Sequence, residues 1–240
     1  MKIRYQKSYS GYLNKEMEYK IYGSSGKKCL FFPSQNGRFY EYEDRGMINI
    51  IAKFIELGKV QVFCVDAIDY LSFSSNNNPK DIIKYQEDYF NYVTKEFIPM
   101  INNNEKIMTF GVSLGAYQAM NLLLRRPDLV DMVLALSGIY QTSYFFGNYY
   151  DDLTFLNSPI DSLAYIKNNE LYLDLYKKSK IYISVGAGAY EASSVKQTKD
   201  LEYMFKINNI YPHFYYFDEN SIHDWPSWLW QISYFFKEIF

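Results

Sequence analysis

The stretch Ile107-Met108-Thr109-Phe110-Gly111-Val112-Ser113-Leu114-Gly115-Ala116-Tyr117-Gln118-Ala119 constrains this chain more than any other. An apolar run reads as a buried strand, breaks at Gly-x-Ser-x-Gly, and resumes as a helical stripe of Leu114, Ala119, Met120, Leu122 and Leu123. Arg125-Arg126-Pro127 then stops the helix. A serine at the tip of so tight a strand-to-helix turn has a strained backbone, and strand and helix approach closely beside it. Small residues two positions to either side leave the room needed, and Gly111 and Gly115 supply it. This is the sequence form of a nucleophile elbow, which presents a serine hydroxyl above the end of a sheet. The pentapeptide alone recurs by chance, so the rest of the chain has to supply the sheet and the partner groups.

The flanking sequence supplies a sheet. Residues 2–9 and 15–22 are β-rich runs around Gly11-Tyr12-Leu13-Asn14, and the alternation in Glu16-Met17-Glu18-Tyr19-Lys20-Ile21-Tyr22 predicts an antiparallel hairpin at one sheet edge. Cys29-Leu30-Phe31-Phe32 and the run Val60 to Val65 are continuously apolar, as strands buried on both faces are. Between them Asp44 is placed to cap a helix carrying Met47, Ile48, Ile51, Phe54 and Ile55, which Gly58 closes. Asn78-Pro79 opens another helix, with Ile82, Tyr85, Gln86, Tyr89, Phe90, Val93 and Phe97 on one side before Pro99. After the elbow come a strand from Met132 to Leu136, an irregular excursion over about 139–178, and a strand from Ile181 to Val185. A helix carrying Leu201, Met204, Phe205 and Ile207, a last strand from His213 to Phe217 and a final helix from Pro226 complete the chain. Strand and helix alternate as in a parallel sheet covered on both faces. The 240 residues carry no internal repeat or linker, which predicts one domain over 1–240. The excursion, rich in Tyr and Phe around 144–150, has two readings of equal weight: a substrate-covering segment, or a surface segment that only packs on the sheet.

Composition narrows the function. The net charge is −2 with Lys and Arg scattered, so no nucleic acid partner is expected. No apolar segment follows the charged N-terminus and no run is long enough to span a bilayer, so a cytoplasmic protein with no membrane association is expected. The two cysteines, Cys29 and Cys64, lie in strand-like runs and read as buried thiols. With two histidines, a Cys/His metal site has too few ligands, and neither metal nor cofactor is expected.

A serine hydroxyl becomes a nucleophile when a base removes its proton and a carboxylate holds that base in one tautomer. His213 sits in an aromatic strand and reads as a sheet residue; His223 lies in the loop after the last strand, which converges on the same crevice as the elbow. His223 is therefore the base expected. Glu191, Asp151 or Asp152, and Asp218 compete as the acid between nucleophile and histidine; Glu191 is favoured because it alone sits in the loop after the next-to-last strand. Asp224, beside the histidine, reads as the cap of the last helix. A tetrahedral intermediate needs backbone N–H donors, one expected from Leu114 and one from Pro33-Ser34-Gln35-Asn36-Gly37, with Gln35 and Asn36 both open.

At this point the chain resembles a known group, the esterase family of α/β-hydrolases that includes S-formylglutathione hydrolases, feruloyl and enterochelin esterases and antigen 85 mycolyltransferases, and most of all its small bacterial members. The resemblance rests on Phe32-Pro33-Ser34 with Gly37-Arg38-Phe39-Tyr40-Glu41-Tyr42-Glu43-Asp44, the elbow, Phe146-Gly147 with Asn157-Ser158-Pro159, Gly186-Ala187-Gly188-Ala189-Tyr190-Glu191, and His223-Asp224-Trp225-Pro226. Ala116 departs from the family, many of whose members have a second glycine there. The resemblance implies an α/β-hydrolase fold, Ser113 as nucleophile, His223 as base and Glu191 as acid. The expectation is a serine esterase acting on a small-molecule carboxylic ester or thioester through an acyl-enzyme. An acyltransferase using the same intermediate and a non-catalytic binding protein of the same fold are the alternatives. The aromatic last helix offers a surface for a homodimer.

Overall fold

The computed structural model of the chain describes residues 1–102, 104–166 and 169–240; Asn103 and, within the excursion, Lys167 and Asn168 lie outside the described residues. The strands are β1 (Ile3–Ser10), β2 (Lys15–Tyr22), β3 (Lys27–Phe32), β4 (Val60–Val65), β5 (Ile107–Val112), β6 (Val130–Leu136), β7 (Lys180–Val185) and β8 (His213–Tyr216). They form one sheet in the order β1-β2-β4-β3-β5-β6-β7-β8. β1 and β2 are an antiparallel hairpin with Tyr5 opposite Lys20, and β2 joins β4 antiparallel. From β4 to β8 every pairing is parallel, with Cys29 beside Met108 and Gly111 beside Ala135. β4 and β5 are buried at every position, which is why their sequences are continuously apolar, whereas β2 alternates.

The helices are α1 (Glu41–Asp44), α2 (Met47–Glu56), α3 (Pro79–Tyr92), α4 (Ile98–Ile101), α5 (Leu114–Arg125), α6 (Ser143–Phe146), α7 (Asp152–Leu156), α8 (Pro159–Tyr165), α9 (Glu170–Lys178), α10 (Ala192–Ile207) and α11 (Trp225–Ile239). Two apolar cores flank the sheet. One gathers Phe90 of α3, Ala119 and Leu123 of α5, Leu163 of α8 and Phe205 of α10 over Leu30 and Val133. The other gathers Ile51 of α2 and Ile232 and Phe235 of α11 over Phe31, Phe110 and Leu134. Alternate residues of each parallel strand thus serve opposite cores. No helix of the described residues is long and apolar enough to cross a membrane.

Three local expectations are corrected. Asp44 ends α1, and Gly46, at φ 81°, takes the N-cap of α2; a left-handed joint between two short helices suits glycine. The helix opened by Asn78-Pro79 does not end before Pro99: a π-helical turn, Val93–Phe97, leads into α4, where proline's missing N–H falls in the first turn. β8 stops at Tyr216, although Phe217 still donates its N–H to Val185 O.

The carboxyl ends of β3, β5, β6, β7 and β8 lie along one edge of the parallel sheet, where crevices form in such folds. Their following loops carry the residues picked out above. The excursion folds as α6 to α9 and is pinned from below. Arg125 holds Glu87 through its two terminal guanidinium nitrogens at 2.8 and 2.9 Å, and Asn157 accepts from Arg125 and Asn121 at 3.0 Å while donating to Glu87.

Candidate active site

Ser113 sits between β5 and α5 at φ 54°, ψ −119°, a conformation an L-residue adopts only when its surroundings impose it. Two close approaches impose it. A Cβ on Gly111 would lie 2.1 Å from the Gly115 carbonyl carbon, and one on Gly115 would lie 2.2 Å from Phe32 O. The elbow glycines are therefore required by packing of helix on strand and of helix on the β3 loop. Tyr42 adds a brace: its hydroxyl donates to Phe32 O at 2.7 Å and accepts from Val112 N at 3.3 Å, tying the ends of β3 and β5 together.

His223 lies half-buried with Nε2 2.9 Å from Ser113 Oγ and Nδ1 3.1 Å from Glu191 Oε2. Its loop is laced to the Gly186–Glu191 loop: His223 N donates to Ala189 O at 2.9 Å and Gly188 N to Ser221 O at 2.9 Å. Glu191 is fully buried. It occupies the N-cap position of α10, yet its side chain makes no capping bond and turns inward to His223 and to Ser137, whose hydroxyl is 2.5 Å from Oε1. The other acids are elsewhere. Asp151 caps α7 by accepting from Thr154 N, Asp152 lies exposed in the first turn of α7, and Asp218 accepts from Asn220 N. His213 is exposed and stacked on Tyr182. Asp224 caps α11.

In the loop after β3, Gly37 N donates to Ser34 O at 2.9 Å across a turn whose third residue, Asn36, has φ 62°. Carboxylates take up three of this loop's backbone N–H groups. Glu41 accepts from Ser34 N and Oγ, Asp69 from Asn36 N at 2.8 Å, and Asp66 from Phe39 N and from Arg38 Nε. Burial raises the carboxyl pKa of Glu41 and Asp66, and pushes that of Asp69 up to about 7. Asn36 N is thus occupied, while among the described residues no partner takes the N–H of Gln35. The N–H of Leu114, at the start of α5, has no carbonyl within its helix to bond.

A cavity of about 450 Å³ opens above Ser113, lined by Gln35, Leu114, Ile139, Phe145, Tyr190 and His223 among others; Asn36 does not line it. Its apolar wall comes from the excursion, and Phe145 packs on Phe73 at 4.5 Å between ring centres. The sequence singled out Ser113, His223, Glu191, Gln35 and Leu114, and these meet here. It missed Ser137, Trp228, Tyr42, Glu41 and Asp69. Of these, only Glu41 and Tyr42 belong to a stretch that carries the family resemblance, Gly37 to Asp44.

A serine on a strained turn, a histidine within hydrogen-bond reach, and a buried carboxylate behind it, set on a mostly parallel sheet, define an α/β-hydrolase-fold protein of the serine-hydrolase class. The family model described as "Putative esterase" matches residues 9–237, and the chain belongs to that family of carboxylic ester hydrolases. Solved structures share the fold at low identity. A ferulic acid esterase superposes with a TM-score of 0.76 at 14% identity, over 100% of this chain and 99% of its own. An S-formylglutathione hydrolase from Agrobacterium tumefaciens gives 0.75 at 15% identity, over 98% of this chain and 93% of its own. MPT51 of Mycobacterium tuberculosis gives 0.73 at 12% identity, over 100% and 98%. No curated protein matches the chain in sequence.

Proposed function

We propose that the chain hydrolyses a carboxylic ester or thioester through an acyl-enzyme on Ser113, with His223 as general base and acid and Glu191 as the carboxylate that orients it. The observation that carries this reading is the position of His223, with one ring nitrogen 2.9 Å from Ser113 Oγ and the other 3.1 Å from Glu191. With Nδ1–H held by the carboxylate, the Nε2 lone pair faces the serine proton. Ser113 Oγ attacks the carbonyl carbon while its proton passes to Nε2. The tetrahedral oxyanion is met by the N–H groups of Leu114 and Gln35, Asn36 N–H being engaged by Asp69. Collapse expels the alcohol or thiol, which takes the proton from His223. Water, deprotonated by the same nitrogen, then attacks the acyl carbon, and the acid leaves with Ser113 restored.

The cavity lining supports a small uncharged acyl or alcohol group, since Ile139, Tyr144 and Phe145 form one wall and no Lys, Arg, Asp or Glu is among the lining residues. The test is direct. A fluorophosphonate probe is expected to label Ser113, and Ser113→Ala to lose labelling and at least about 10⁴-fold of kcat on short p-nitrophenyl esters. Turnover at the wild-type rate in that variant would sink the assignment.

A further inference from the structure

Ser137 follows β6 at φ 55°, one of four non-glycine residues, with Asn36, Ser113 and Tyr190, that take a positive φ in the loops at the carboxyl edge of the sheet. Its backbone is fixed at both ends: Ser137 N donates to Ser184 O at 2.8 Å, and Ser137 O accepts from Ser194 Oγ at 3.3 Å. The result is a fully buried hydroxyl aimed at two groups, Glu191 Oε1 at 2.5 Å and Trp228 Nε1 at 3.0 Å. An indole N–H can only donate. Ser137 Oγ must therefore accept from Trp228, and its own hydrogen is left to point at Glu191 Oε1. The carboxylate, receiving that hydrogen on Oε1, presents Oε2 as acceptor to His223 Nδ1–H, which leaves Nε2 unprotonated toward Ser113. A carboxylate only accepts, so Glu191 takes the Ser137 hydrogen on Oε1 and the His223 Nδ1–H on Oε2, and the donor-only indole of α11 keeps the Ser137 hydroxyl turned toward Glu191.

We propose that Trp228 and Ser137 are positioning residues for this site, acting through Glu191 to hold the His223 tautomer and ring that the proposed acyl-transfer chemistry requires; the inference rests on that chemistry. Neither side chain is among the residues lining the cavity above Ser113. Trp228 also sets its ring edge-on to the imidazole, with centroids 5.1 Å apart and planes at 81°, so the same residue fences the ring on one side. Phenylalanine at 228 would keep that fence and remove only the N–H.

The experiment compares Trp228→Phe, Ser137→Ala and the double variant with wild type on a p-nitrophenyl ester, with concentrations corrected for folded protein by thermal unfolding. Removing the hydrogen bond to the charged carboxylate, Ser137→Ala is expected to lower kcat roughly ten- to hundredfold; Trp228→Phe, which removes a neutral bond one step further out, roughly three- to tenfold. KM should stay within about twofold in both, and fluorophosphonate labelling of Ser113 should slow in proportion to kcat. Because the Trp228 N–H works only through the Ser137 hydroxyl and phenylalanine keeps the ring, the double variant should be no slower than Ser137→Ala alone. A Trp228→Phe enzyme with wild-type kcat, losses that multiply in the double variant, or a rise in KM with kcat unchanged would each overturn the proposal. Ser113→Ala serves as the separate control. Activity retained there removes the parent chemistry, whereas an inactive Ser113→Ala beside an unimpaired Trp228→Phe removes the positioning roles alone.

Discussion

Asp69 is buried, and its carboxylate holds Asn36 N–H and so shapes the loop in which, among the described residues, no partner takes Gln35 N–H. Burial pushes its pKa up to about 7, above the ordinary value near 3.8 of an unfolded chain. The sign follows from linkage. Between about pH 4 and 7 the unfolded chain gives up this proton and the folded chain keeps it, so Asp69 favours folding fully below pH 4 and loses that contribution as pH rises through 7. Asp69→Asn keeps an acceptor for Asn36 N–H without the charge. It is expected to match wild type within about 1 kcal/mol at pH 4.5 and to exceed it by about 2–4 kcal/mol at pH 8, read from urea midpoints. Shared titrations cancel in the difference, and a gap independent of pH would contradict the assignment. The same residue explains a limit on what the sequence reveals. Gln35 and Asn36 were equivalent as donors in the chain because the group that occupies one of them is 33 positions away. Ser137 and Trp228 were invisible for the same reason, their partners being 54 and 91 positions distant. Ser113, by contrast, was legible because its constraint is local: the glycines that make room for it are two residues to either side.

Elements were legible where a local pattern sets them and illegible where tertiary contacts do. The parallel strands β4 and β5 announced themselves as unbroken apolar runs, and Asn78-Pro79 marked the start of α3, where the Asn78 side chain accepts from Asp81 N as its cap. The passage of helix over Pro99 was not legible, since a proline that begins a new helical stretch after a π-turn looks in sequence like one that ends a helix. The excursion is the harder case. Its helices α6 and α7 span four and five residues, too short for a periodic signal, and it is held by Asn157, which joins Arg125, Glu87 and Asn121 beneath it. The Tyr117 hydroxyl also donates to Asn157 O, so the elbow helix itself anchors the wall that carries Phe145. Asn157→Ala deprives the half-buried Glu87–Arg125 pair of its shared amide. It is expected to cost about 2–4 kcal/mol in chemical denaturation and to raise KM several-fold, with kcat falling less, as α6 loses its fixed place over the cavity. A variant of full stability and unchanged KM would show that the excursion is held by other contacts.

At the scale of the whole molecule, the row Ser113–His223–Glu191 draws on loops after β5, β7 and β8, so it exists only when those strands are in register and α11 is docked behind them. α11 has two tasks on different residues. Toward its start, Ser227 Oγ accepts from Ile222 N, while Gln231 donates to Ser221 Oγ and accepts from Ser184 Oγ, bracing the histidine loop. Toward its end, Phe235 and Phe236 close the second core; Phe235 is fully buried and meets Tyr215 edge-on at 4.9 Å between ring centres. These tasks can be separated. Phe235→Ala leaves a cavity in the core without touching any group in the row, and should cost about 3–5 kcal/mol of folding stability. Well below the lowered unfolding midpoint, kcat and KM per folded molecule should match wild type, because the Gln231 and Ser227 braces and the strand register survive. The measurement pairs a urea titration followed by circular dichroism with steady-state kinetics at low temperature. A fall in kcat in the fully folded variant would mean that the second core and the Ser113–His223–Glu191 row are mechanically one unit, with α11 transmitting small shifts of its apolar face directly to His223.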